Sequence, residues 1–65
     1  MSKQEFLAEL RKGLSGLPQD EIEQRLTFYS EALEDRMEEG LSEEEAVSAI
    51  GTIDEIVQQI IADIP

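Results

Sequence analysis

The sequence predicts an all-α fold, a compact bundle of four short helices in a single domain, and three features lead there. Apolar residues recur every third or fourth position along the chain, the spacing that gathers them on one face of a helix. Three of these stretches open on a hydroxyl residue with a glutamate three positions later, Ser2/Glu5, Ser42/Glu45 and Thr52/Glu55, the pattern of a capping box. Glycines follow the stretches at Gly16, Gly40 and Gly51, where a left-handed residue closes a helix.

Helix 1 is expected from Lys3 to Leu14. Its capping box is Ser2/Glu5, and Met1 and Phe6 are placed to staple across it. Phe6, Leu7, Leu10, Leu14 and Leu17 fall within one stripe about 100° wide, with Glu5, Glu9 and Lys12 outside it. Ser15-Gly16-Leu17-Pro18 interrupts the pattern: Gly16 suits a left-handed closing residue, and Pro18 suits the first turn of the next helix. Helix 2, Gln19 to Glu39, is the longest. Its apolar positions Ile22, Leu26, Tyr29, Leu33 and Met37 make a stripe about 80° wide, and Glu and Asp fill most of the remainder.

Gly40 ends helix 2, and Leu41-Ser42-Glu43-Glu44-Glu45-Ala46 begins helix 3, which runs from Glu43 to Ile50 and presents Ala46, Val47 and Ile50. Its three glutamates sit where the helix dipole favours negative charge. Gly51 stops it, and Thr52 with Glu55 opens helix 4, residues 53–63. There Ile53, Ile56, Val57, Ile60, Ile61 and Ile64 cover about 140° of the circumference. The β-branched run favours a strand by propensity, but its spacings of three and four fit a helix, and a lone strand has nothing to pair with. So broad an apolar face makes helix 4 either the most buried of the four or in need of a further partner surface.

Composition excludes more than it identifies. Among 65 residues, 16 are acidic and 5 basic, a net charge of −11. Such a field repels phosphate backbones and anionic head groups, which argues against nucleic acid and against direct membrane-surface binding. With no cysteine and no histidine, the chain lacks thiolate chemistry, the usual general base and the commonest metal ligand. The first five residues are not a basic start leading into an apolar stretch, so this end is expected on the cytoplasmic side. The longest apolar run, Ile60-Ile61-Ala62, is far short of the roughly 20 residues of a membrane span.

Three local patterns invite comparison with specific chemistries. Asp35-Arg36-Met37-Glu38-Glu39-Gly40 has the glycine of a calcium loop, but with Gly40 at position six the third ligand position is Met37 and the position needing a bidentate Glu is Ala46; an ordinary helix end explains it. Ser42 at a helix start resembles the prosthetic-group serine of acyl carrier proteins, yet it lies between Leu41 and Glu43, not between Asp and Leu, and capping accounts for it. Glu34 and Glu38 are one turn apart without the apolar surroundings that drive two carboxyl pKa values apart. No catalytic, cofactor-binding or metal-binding residue is assigned, and the chain is not expected to be an enzyme.

Phe28 stands apart. It falls roughly 140° from the middle of the helix 2 stripe, among Glu21, Glu31, Asp35 and Glu39. Either helix 1 or helix 4 folds over that side and buries it, the favoured alternative, or it is an exposed anchor for a partner. Phe28, Glu31 and Asp35 are the candidate partner-binding residues.

Several stretches together resemble the HAAS domain, an α-helical domain associated with PadR-type regulators and found at the N-terminus of bacterial membrane proteins. They are Lys3-Gln4-Glu5-Phe6-Leu7 with Leu10, Leu14-Ser15-Gly16-Leu17-Pro18, Phe28-Tyr29 followed by Glu31 and Asp35, Glu39-Gly40 with Ser42-Glu43-Glu44-Glu45-Ala46, and Ile50-Gly51 before Glu55-Ile56. The pattern is specific through order and spacing, since most of these are capping and core positions. Where the family often has Asp and Pro after the last glycine, this chain has Thr52-Ile53. The resemblance implies a non-catalytic interaction or signalling domain on the cytoplasmic face of the cell membrane, with membrane spans downstream and a PadR-like transcription regulator as partner. The charge alone allows a different class, a stand-alone acidic inhibitor that mimics DNA.

Overall fold

The computed structural model describes residues 1–63. Ile64, assigned above to the last apolar stripe, and Pro65 lie outside them. The elements are α1 (Lys3–Gly13), α2 (Gln19–Glu38), α3 (Glu43–Ile50) and α4 (Ile53–Asp63), with no strand among the described residues. The isoleucine-rich segment is helical, as its period requires.

Two capping boxes close in full. The Glu5 N–H donates to Ser2 Oγ at 3.1 Å and the Ser2 N–H to the Glu5 carboxylate at 3.3 Å; the Glu45 and Ser42 counterparts span 3.2 and 2.9 Å. At α4 the Glu55 N–H donates to Thr52 Oγ1 at 3.2 Å, but the return bond comes from the Thr52 hydroxyl, at 3.0 Å from the Glu55 carboxylate, not from its backbone N–H. The third box is therefore a hydroxyl cap reinforced through the side chain. Pro18 is the N-cap residue of α2, one position ahead of the first helical residue, and its carbonyl accepts the Ile22 N–H at 3.1 Å.

The helix ends differ for a reason. Gly40 (φ +108°) and Gly51 (φ +121°) take positive φ. At Gly40 the Leu41 N–H reaches back to the Arg36 carbonyl at 3.2 Å and the Gly40 N–H to Met37 at 3.1 Å, the paired bonds of a Schellman close. Gly16 does not follow the expectation. The chain leaves α1 through overlapping right-handed turns, with Leu14 at φ −99° and ψ 10° and the Leu17 N–H bonded to the Leu14 carbonyl at 2.9 Å. These turns keep Leu14 buried and Leu17 half-buried in the core, which a left-handed reversal would have swung apart.

Phe6, Leu10 and Leu14 from α1 and its exit, Ile22, Leu26 and Leu33 from α2, Ala46 and Val47 from α3, and Ile56 and Ile60 from α4 make one core. α1 is its hub and packs against all three other helices, α3 packs against both α1 and α2, and the backbone of α4 approaches that of α1 alone. Of the two alternatives for α4, the most buried of the four helices or one in need of a further partner surface, the first is therefore incorrect: Ile53 and Val57 are half-buried and Ile61 is exposed. A helix seated on one neighbour buries only the middle of a 140°-wide stripe, roughly, and leaves its edge in water.

That seat depends on Gly13, a glycine on the same face of α1 as Phe6 and Leu10. A Cβ built on Gly13 would lie 2.6 Å from Val57 Cγ2, so a hydrogen in place of a methyl group lets α4 close onto α1.

Three measurements check this account. Gly13→Ala gains about 1 kcal/mol of helix propensity but overpacks against a β-branched side chain with little rotamer freedom, at about 1–3 kcal/mol. Net destabilisation is expected, with Val57→Ala relieving it in a double-mutant cycle; a more stable Gly13→Ala protein would refute the contact. Gly51 is the reverse case, since a Cβ there meets nothing within 4 Å while φ +121° and ψ −173° belong to glycine. Gly51→Val should cost about 1–3 kcal/mol in chemical denaturation through backbone strain alone. Finally, the backbone N–H and then the hydroxyl of Ser42 hold the Glu45 carboxyl below its ordinary range. A carboxyl depressed by folding stabilises the fold above its unfolded pKa and loses that contribution as pH falls through the folded value. In Ser42→Ala the NMR-monitored Glu45 midpoint should rise toward the ordinary range; an unmoved midpoint would show that the hydroxyl plays no part.

Candidate partner-binding surface

The outer face of α2 is set by which side its neighbours occupy. α1 is tied along one flank by Lys3–Glu34 at 2.6 Å and Arg11–Glu23 at 2.7 Å, α3 lies along the other flank, and α4 does not approach α2. Among the described residues nothing covers the side that carries Phe28, which is 63% exposed. The favoured expectation that α1 or α4 buries it is thus overturned, because α4 sits on α1 and not across α2.

Phe28 is nevertheless held. Its ring meets Tyr29 edge-to-face at 5.0 Å, and Tyr29 meets Phe6 in the same manner at 6.5 Å. The three rings form a row from solvent to core: Phe28 exposed, Tyr29 half-buried, Phe6 buried. Such edge-to-face pairs contribute roughly 0.5–1.5 kcal/mol beyond area burial, enough to orient an exposed ring.

Glu31 and Asp35 lie one and two turns further along this face, both exposed and neither in an ion pair among the described residues. Of the basic residues, Lys3, Arg11, Lys12 and Arg25 each face a glutamate, at 2.6, 2.7, 3.8 and 3.4 Å, and Arg36 donates to the Ala32 carbonyl at 3.3 Å. The positive charge is thus engaged within the fold, and the acidic excess faces outward.

Glu31 also forms one wall of a shallow groove of about 410 Å³ between α1 and α2, lined by Leu7, Ala8, Arg11, Leu26, Thr27 and Ser30. Only the pairing of α1 with α2 creates it, so a reading along one helix does not find it. Its trace in the sequence is the set of small residues Ala8, Thr27 and Ser30 at the edges of two leucine stripes. A second groove of about 520 Å³ has Met1, Phe6, Val47 and Ile53 among its lining residues. Asp35 and Met37 are helical and Gly40 closes α2, so no calcium-type loop forms there, and no group of three metal-ligating side chains occurs among the described residues. Ser42 is engaged as the α3 cap.

The chemistry offered by the outer face of α2 around Phe28 is therefore one oriented aromatic ring, the carboxylates of Glu31 and Asp35 and a neighbouring trough of mixed lining with Leu7 and Leu26 in it, a set suited to contact with another molecule. No curated protein and no solved structure matches the chain significantly. A family model described as HAAS matches residues 5–59, a span that takes in all three candidate residues, the groove and the hub stripe of α1, and the chain belongs to the HAAS family.

Proposed function

We propose that this is a non-catalytic interaction domain on the cytoplasmic side of a bacterial membrane protein, and that its acidic α2 face receives a basic surface of a soluble PadR-like regulator. The observation that carries the reading is Phe28, 63% exposed and oriented by Tyr29, beside the unpaired Glu31 and Asp35. Large aromatic residues are ordinarily buried, and one oriented outward among like charges fits the centre of a contact. Membership of the HAAS family is consistent with a non-catalytic interaction domain.

The membrane context rests on the family resemblance. No helix of the described residues is long and apolar enough to cross a membrane, so the spans in this reading lie downstream of the domain. A domain of net charge −11 is repelled by an anionic inner leaflet and projects away from it, where a cationic partner is attracted over a Debye length of about 8–10 Å.

Binding of the domain to the PadR-like regulator encoded beside it should weaken as salt rises from about 50 to 300 mM, mainly through a slower on-rate. Surface plasmon resonance across that series checks it. An affinity independent of salt, or no binding at all, would overturn the reading.

A further inference from the structure

The pair α1–α2 has two sides. On one, α3 packs against both helices. The other carries the groove of Leu7, Ala8, Arg11, Leu26, Thr27 and Ser30 and has no helix over it. Leu7, Ala8 and Arg11 lie roughly 120–160° around α1 from Gly13, the residue against which α4 seats. Every other described helix is thus accounted for elsewhere, and a trough over Leu7 and Leu26 remains open, with Glu31 in its wall and Arg11 held by Glu23 at 2.7 Å; Phe28 and Asp35 stand on the same outer face of α2 as Glu31.

We propose that this groove docks a short amphipathic basic helix of the partner protein, which completes on this side of α1–α2 the three-helix layer that α3 completes on the other. The inference rests on the interaction reading above and specifies its occupant. An apolar stripe on the incoming helix enters over Leu7 and Leu26, where the small Ala8, Thr27 and Ser30 permit close approach. Its lysines or arginines reach Glu31 and Asp35 at the groove's edge, and the side chain beyond them packs on the Phe28 ring. Anchors at i, i+3, i+4 and i+7 are how an amphipathic helix enters such a groove.

Charge chooses among occupants. A second copy of this chain would bring Glu31 and Asp35 against a domain of the same net charge, −11, and nucleic acid or an anionic vesicle meets the same repulsion. A helix with one apolar and one cationic face matches Leu7 and Leu26 in the trough and Glu31 in its wall, where the charge of Arg11 is already offset by Glu23.

The test is an amide NMR titration of the 65-residue protein with a synthetic amphipathic Leu/Lys helix, beside a peptide of identical composition whose order mixes Leu and Lys around the helix. Expected are shifts centred on Leu7, Ala8, Thr27, Phe28, Glu31 and Asp35, and binding at least tenfold tighter for the amphipathic peptide. Ala8→Arg and Phe28→Ala, both at exposed positions, should each weaken it about tenfold while amide spectra stay folded. Equal binding of the two peptides, with shifts spread over the whole acidic surface, would overturn the groove and leave a merely cationic partner. The same holds if Ala8→Arg binds the regulator unchanged. Binding of neither peptide would overturn the groove and the cationic-partner reading together.

Discussion

The fold hangs on α1. Eleven residues long, it is the one described helix whose backbone approaches all the others, and the backbone of α4 approaches it alone, while Ile56 and Ile60 of α4 enter the common core. Phe6 and Leu10, with Leu14 just past its end, are the most completely buried large side chains in their part of the chain, at 1%, 0% and 1% exposure. A hub this narrow serves three neighbours only if their approach directions differ. Phe6 meets Tyr29 of α2 and shares a groove with Val47 of α3, Leu7 borders Leu26 of α2, and at Gly13 a missing side chain admits Val57 of α4. Each replaces a longer contact that a chain of this size has no further helices to make.

That economy determines where the surface is left open. Because α4 stacks on α1 instead of crossing α2, the longest helix keeps one flank uncovered along its length. An aromatic ring on that flank has two ways to stay ordered, burial or edge contact with a neighbour. Phe28 uses the second, through Tyr29 to Phe6. The arrangement couples the exposed ring to the hub itself, so the geometry that holds the core also orients the surface.

Local physics was legible in the sequence, and non-local physics was not. Helix limits, the Ser2 and Ser42 boxes and the positive φ of Gly40 and Gly51 follow from interactions within four or five residues. Apart from the Thr52 box and the N-cap position of Pro18, which are local, the deviations involve a second element. Gly16 stays right-handed because Leu14 and Leu17 must both face a core that other helices build. Phe28 is exposed because α4 goes to α1, a choice set by Gly13 and Val57, 44 positions apart by their numbers. The α1–α2 groove exists in neither helix singly. Gly13 had a readable signal, a glycine on the Phe6–Leu10 stripe, but nothing in one helix says which partner will exploit it.

The charge pattern separates acids that serve the fold from acids that do not. Asp20 and Glu21 lie in the first turn of α2, Glu43, Glu44 and Glu45 in that of α3, and Asp54 and Glu55 in that of α4; Arg11 and Lys12 lie in the last turn of α1 and Arg36 in that of α2. These placements complement the helix dipoles, each by roughly 0.3–1 kcal/mol at low salt, and let a chain of net charge −11 fold despite self-repulsion. Glu34, Glu23, Glu21 and Glu9 are further offset by cations. Glu31 has neither benefit, being in mid-helix and unpaired. Asp35 is worse placed, since it stands in the last turn of α2 where the dipole disfavours a negative charge. Glu38 and Glu39 share that cost at the end of α2, but only Glu31 and Asp35 share the outer face with the oriented Phe28 ring, and it is this coincidence on which the proposed contact with a basic partner rests.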